Sequence, residues 1–445
     1  MSGDSLEKAT YPMSGDSVEK AAYPMNGDSI YPMEGESVEK AAYAERNAAE
    51  MARMLDLRRR LDTLVIFRDL LRDEAVRELS IALSECVKGR QEKFLRRLAG
   101  FEARIFETGG DWSKYLFQRV SESENICIRK CGAGPLNAAL LGALEKELDF
   151  LQTLAALKLD DFPGVPHFMT GWLTSDVDIP GEYRERMRRV GEIGYGLFAR
   201  YHVFTVSEGA LVPVKHPDPQ TLAQLPGYER EREKIISNTE ALLNGEPANN
   251  VLLYGDAGTG KSSTVKAIAN EYAKRGLRLV EVKKNQLYEL PGLMDTLAEN
   301  PLKFVIFIDD LSFTANDDNF AALKAILEGS VGGRAANVAV YATSNRRHLI
   351  KETLSDREGD DIHASDTRQE LMSLSARFGL MVTFGVPDRE RYLYIARKLT
   401  EQYGVRMSET ELAVRAEAFA LRSGGRSARV AKQFVEMCKA GVLHS

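Results

Sequence analysis

Apolar residues between about 45 and 220 recur at steps of three and four. Over 46–85, Met51, Met54, Leu55, Leu61, Leu64, Val65, Leu70 and Leu71 mark the buried faces of helices. Phe94, Leu98, Phe101 and Ile105 form one stripe over 91–106. Gly132, Gly134 and Pro135 predict a loop entering a helix over 136–157. The stretch 201–214 reads as a strand or hairpin, and Pro213, Pro217, Pro219 and Pro226 mark a linker after it. From about 221 the period changes. Short apolar runs at 251–254, 277–282, 304–308, 338–342 and 380–384 predict strands. They alternate with helical patterns at 229–243, 261–274, 291–299, 319–327 and 367–377, the signature of an α/β fold with a parallel sheet. Gly245, Gly276, Gly329 and Gly379 stand where these helices would end in a left-handed cap. After Pro387 the strands stop, and helices are expected over 388–403, 408–421 and 427–440.

The first 44 residues follow another rule. MSGDSLEKATYP, MSGDSVEKAAYP, MNGDSIYP and MEGESVEKAAYA are versions of one unit. A unit of this length is too short for a helical solenoid, Gly recurs in each, and Pro closes the first three. With so few apolar residues a disordered tail over 1–44 is expected. The division is therefore a repeat tail (1–44), a mostly helical domain (45–220), an α/β core (221–386) and a helical lid (387–445). A bare duplication accounts for the repeats. A docking role for Tyr-Pro-Met is the alternative.

Composition narrows the classes. Of 445 residues, 44% are hydrophobic and 28% charged, enough to build packed cores. The net charge of -6 argues against a whole-chain polyanion binder. Four cysteines cannot staple a chain this long, so a reducing compartment is expected. Cys127 and Cys131 lack a second Cys or His pair and read as ordinary cysteines. No leader pattern and no apolar run of membrane-spanning length are visible, which together predict a cytoplasmic protein without a membrane partner.

The chemistry lies in the second half. Gly255, Asp256, Ala257, Gly258, Thr259, Gly260, Lys261 and Ser262 form G-x-x-x-x-G-K-S between a strand and a helix. The glycines let backbone N–H groups turn around phosphates. Lys261 supplies a point charge, Ser262 a hydroxyl for Mg²⁺, and Ser263 continues into the helix that adds its N-terminal partial charge. The apolar strand at 304–308 ends in Asp309 and Asp310. Two adjacent carboxylates there are costly without a cation. Asp309 is placed to hold Mg²⁺, and Asp310 to polarise an attacking water.

The order of phosphate loop, Asp-Asp strand and Tyr341-Ala342-Thr343-Ser344-Asn345 resembles the AAA+ ATPases. That resemblance implies a five-stranded parallel P-loop NTPase core between helices, with a helical lid. It makes Asn345 the first sensor, with Thr343 as second choice. Ser375-Ala376-Arg377-Phe378-Gly379 looks like the arginine-finger segment, so Arg377 would reach a neighbouring subunit's ATP; a helix-end cation is the plainer reading. Gly424 to Ala431 is similar to the second-sensor segment, with Arg429 the better fit and Arg426 its competitor. Leu225-Pro226-Gly227-Tyr228-Glu229 resembles the segment over the adenine.

FIDDLSF at 307–313, YATSNRRHL at 341–349 and SARVAKQF at 427–434 are similar to a bacterial family of predicted AAA+ ATPases of unknown function. Two positions depart from the wider superfamily. Asp310 stands where Glu is usual, setting the carboxylate back by about one C–C bond (~1.5 Å), although Asp-Asp also resembles the replication-initiator branch. Ala376 stands where an acid usually precedes the finger.

The resemblance implies MgATP hydrolysis at the interface of a homo-oligomer. The helical domain is expected to engage a protein partner. A DNA-associated, helicase-loader-like ATPase and a nucleotide-gated switch with little hydrolysis are the alternatives, nucleic acid being disfavoured by the charge. Lys283-Lys284, Arg346-Arg347-His348 and Arg58 to Arg60 read as solvated clusters, and the acidic stretch 351–366 as a surface insertion or a substrate loop.

Overall fold

The computed structural model describes residues 34–132, 134–311, 318–328, 335–345 and 377–442. Up to residue 200 the elements are helices. The first, Glu34–Asp62, begins inside the fourth repeat, so disorder does not extend to residue 44 as expected. That unit closes on Ala44 where the others close on Pro, and nothing interrupts the helix. The expected disorder of 1–33 lies outside the described residues.

The helical pattern at 46–85 breaks between Asp62 and Glu74, where the Glu147 carboxylate accepts the N–H groups of Val65, Ile66 and Phe67 at 2.7–3.1 Å. Helices Glu74–Val87, Gln91–Glu107, Trp112–Glu122 and Ala138–Ala155 pack around a core in which Phe101 meets Trp112 and Trp172 edge-on at 4.9 and 4.7 Å. Both indole N–H groups are satisfied, by Leu154 O and Leu157 O at 2.8 Å, as buried tryptophans require. Among the described residues no helix is long and apolar enough to cross a membrane.

Among the described residues the sheet has seven strands, the five parallel strands expected and the two of the hairpin. They are β1 (Val203–Ser207), β2 (Ala210–Pro213), β3 (Val251–Gly255), β4 (Leu277–Glu281), β5 (Lys303–Ile308), β6 (Val338–Ser344) and β7 (Leu380–Phe384). Their order is β2-β1-β4-β5-β6-β3-β7, parallel throughout except for the β1–β2 hairpin. The hairpin foreseen at 201–214 thus belongs to the sheet, and the boundary drawn at 220 cuts through it. β1 reads weakly in sequence because its partner, β4, lies more than sixty residues away.

Strand residues alternate between two buried clusters. Val305 and Phe307 pack with helices Glu229–Leu243 and Lys261–Tyr272 and with the lid, while Phe304, Ile306 and Ile308 pack with Leu287, Leu293 and Leu323. The lid helices are Arg389–Tyr403, Glu409–Arg422 and Ala428–Lys439, capped by Asp388, Ser408 and Ser427. The helix expected over 367–377, the insertion 351–366 and Arg346 to His348 lie outside the described residues.

Candidate nucleotide-binding site

The strand order builds the site. β6 lies between β5 and β3, so the chain segments leaving these three strands emerge side by side. The register aligns Ile308 with Ala342 and Tyr254 with Ser344. Asp309 is therefore level with Thr343, and Asn345 with the start of the phosphate loop.

The loop folds on its glycines. A Cβ on Gly255 would lie 2.1 Å from Phe384 O, so only glycine lets the loop leave β3 against the end of β7. Gly260, at φ 93, opens the helix. Thr259, buried, donates its hydroxyl to Asp256 O at 2.8 Å and fixes the loop from within. Lys261 is also buried, and its ammonium donates to Gly255 O (3.0 Å), Asp256 O (2.7 Å) and Asn345 Oδ1 (3.0 Å). Burial pushes its pKa below the usual lysine range, against the pull of Asp256, Asp309 and Asp310.

One Asp309 oxygen, Oδ1, gathers three donors: Ser262 Oγ at 2.6 Å, Thr343 Oγ1 at 2.5 Å and the Asp310 N–H at 3.1 Å. Asp310 lies at φ 52 and donates its N–H to Thr343 Oγ1 at 2.9 Å. Its Oδ1 accepts Asn345 Nδ2 at 2.7 Å. Asn345 thus links Lys261 to Asp310, while Thr343 orders the two aspartates.

These groups line a cavity of about 480 Å³. Ala257, Gly258, Gly260, Lys261, Ser262, Ser263, Asp309, Asp310, Asn345 and Arg429 of the expected residues face it. Gly255, Asp256 and Thr259 shape the loop without lining it. Tyr228, expected near the adenine, also lies outside this lining. It is buried against Phe384, with ring centroids 5.3 Å apart, and its hydroxyl donates to Gly385 O at 2.6 Å. Burial pushes its pKa up to about 12. Arg377 does not line its own chain's cavity. Of the competing lid arginines, Arg426 holds Glu417 through Nε (3.0 Å) and Nη2 (2.7 Å), whereas Arg429 faces the cavity.

Gln220, Thr343, Ala428 and Lys432 complete the lining. Lys432 was findable, one helical turn from Arg429 on the same face. Gln220 carries no local signal. It arrives because Asn270 Nδ2 donates to Asp218 O and Gln220 O at 2.7 and 2.8 Å.

Lys261, Arg429 and Lys432 around a helix N-terminus favour a polyanion. Ser262 and Asp309 offer oxygen donors only, with the hydroxyl and carboxylate already together, which suits Mg²⁺.

Residues 198–442, more than half the chain, match the family described as "Protein of unknown function (DUF815)". The chain belongs to this family. The matched segment begins just before β1 and takes in the whole sheet and lid, so the DUF815 region here coincides with the fold that carries the candidate site. Similarity extends to the Holliday junction branch migration complex subunit RuvB of Salinibacter ruber, 26% identical over 36% of this chain and 51% of that protein. The ATPase family gene 2 protein of Saccharomyces cerevisiae is 25% identical over 51% of this chain and 29% of its own. A 26S proteasome regulatory subunit 4 homolog of Encephalitozoon cuniculi is 25% identical over 38% and 42%. The chain spans about half or less of each of these relatives. This DUF815 region is an AAA+ ATPase fold.

Proposed function

We propose that the protein binds MgATP in this cavity and hydrolyses it at the interface of a homo-oligomer, to remodel a macromolecular partner in the cytoplasm. The observation that carries the reading is that Lys261, opening the helix after β3, meets Asp309, Asp310 and Asn345 just past the ends of β5 and β6. The Lys261 ammonium exchanges its bonds to Gly255 O and Asp256 O for β- and γ-phosphate oxygens. Ser262 and Asp309 hold Mg²⁺, which when bound neutralises charge on the phosphates. Asp310 accepts the proton of the attacking water, and Asn345, bonded to both Asp310 and Lys261, keeps that carboxylate aligned with the γ-phosphate. Arg429 bonds phosphate from the lid. Arg377, outside its own chain's cavity, completes the site of the neighbouring copy.

The helical region before residue 200 is the part that engages the partner, a protein in the reading favoured here. The names of the relatives point both to DNA and to protein substrates, and the chain's acidity favours protein. Nucleotide titration with Lys261→Ala tests the site. The variant is expected to lose MgATP binding, and unaltered affinity rejects the assignment. Salt-dependent binding of duplex DNA would favour the DNA-associated alternative.

A further inference from the structure

We propose that Asp256 is a positioning residue that ties the phosphate loop to the segment entering the helical lid, so that occupancy of the loop is felt at the Val386 amide. The inference rests on the nucleotide reading of the cavity. Asp256 is out of place as a phosphate ligand: a carboxylate in an anion-binding loop repels its ligand, and Asp256 does not line the cavity. Its bonds go elsewhere. Its N–H donates to Phe384 O at 3.1 Å, and its Oδ2 accepts the Val386 N–H at 3.0 Å.

These two bonds bracket Gly385, whose carbonyl accepts the Tyr228 hydroxyl at 2.6 Å. Gly385, Val386 and Pro387 are the whole connection between the end of β7 and Asp388, the cap of the first lid helix. Gly258 O, farther along the same loop, accepts the Arg429 N–H of the last lid helix at 2.9 Å. The loop is thus bonded to the lid's entrance at one end and to its final helix at the other. Asp256 O meanwhile receives Lys261 Nζ and Thr259 Oγ1. A phosphate that draws the ammonium away changes the hydrogen bonding of the residue whose carboxylate holds the Val386 amide.

Val386 is 60% exposed, so the Asp256 bond is the protection its amide has against solvent exchange. Site-resolved hydrogen exchange on the full chain, with and without MgADP, tests the coupling, alongside fluorescent-nucleotide titration. In the wild type, Val386 exchange is expected to respond to MgADP. In Asp256→Ala it should speed up about tenfold, as loss of one hydrogen bond predicts, and cease to respond although MgADP still binds. Asp256→Asn keeps an acceptor oxygen and should behave as wild type. Unchanged Val386 exchange in Asp256→Ala, or loss of MgADP binding by that variant, overturns the positioning role alone. A wild type that fails to bind MgADP overturns the nucleotide reading and this inference with it.

Discussion

Replacing Asp310 by asparagine separates chemistry from fold at the point where both meet. Asp310 sits at φ 52, a conformation that costs an ordinary L-residue roughly 1–2 kcal/mol and that Asp and Asn tolerate. Asparagine therefore keeps the backbone, and its Oδ1 still accepts Asn345 Nδ2 as the carboxylate does at 2.7 Å. What it loses is basicity. Removing a general base lowers turnover by about 10²–10⁴-fold, so phosphate release from MgATP should fall by that factor. Nucleotide affinity should stay within a few-fold, and the melting temperature should be unchanged. Asp310→Ala adds the left-handed strain and deletes the Asn345 bond, itself worth ~0.5–1.5 kcal/mol. It should lose the same turnover and also melt earlier. An Asp310→Asn protein with turnover within tenfold of wild type would refute the assignment of Asp310 as the base.

Arg429→Ala should weaken MgATP binding about 10–150-fold, the range of one charge-assisted bond of ~1.5–3 kcal/mol, whereas Arg426→Ala should leave affinity intact. The Arg426–Glu417 pair, with side chains 37% and 19% exposed, is screened by solvent and contributes little to the lid. The Arg426 bond holds the Glu417 pKa below the ordinary 4.5, so this contribution is complete above that pH and is lost on acidification; melting of wild type and Arg426→Ala should converge there. Arg278, buried, donates to the carbonyls of Ile193, Phe198, Ala273 and Leu277 at 2.9 Å, and burial pushes its pKa down to about 10, still charged at neutral pH. Arg278→Met leaves those buried carbonyls without their donor and should destabilise the fold by about 1–3 kcal/mol, read as a lower urea midpoint with faster amide exchange over 193–198. Burial pushes the Cys86 thiol up to about 11, so at pH 8 it should resist a thiol reagent until urea unfolds its helix.

Local signals were legible where local physics decides. Every parallel strand from β3 to β7 was read within about two residues, because each is an apolar run bounded by turn chemistry. The phosphate loop and the Asp309–Asp310 pair were legible for the same reason, since each is a set of particular residues at fixed spacing beside a strand. What sequence could not carry was set by distance along the chain. The place of β1 beside β4, Gln220 in the cavity wall and the burial of Tyr228 against Phe384 each depend on segments far apart. The choice between Arg426 and Arg429 was of this kind: Glu417 takes one of them, and only packing shows which. The conformation of Asp310 left no trace in composition either, since Asp is common at strand ends of every backbone type.

The β1–β2 hairpin bears on what can be inherited or cut as a unit. β1 covers the outer edge of β4, and Arg278 at the start of β4 takes carbonyls from Ile193 and Phe198. A fragment beginning at the proline-marked 221 would bare the β4 edge and leave a buried guanidinium short of acceptors, inviting edge-to-edge pairing between copies. Dissection or domain exchange that respects the fold must therefore break the chain upstream of Ile193, inside what reads as the helical half. The two halves are fused through a shared strand, and a helical module swapped onto this sheet would have to bring its own last turns and first strand with it.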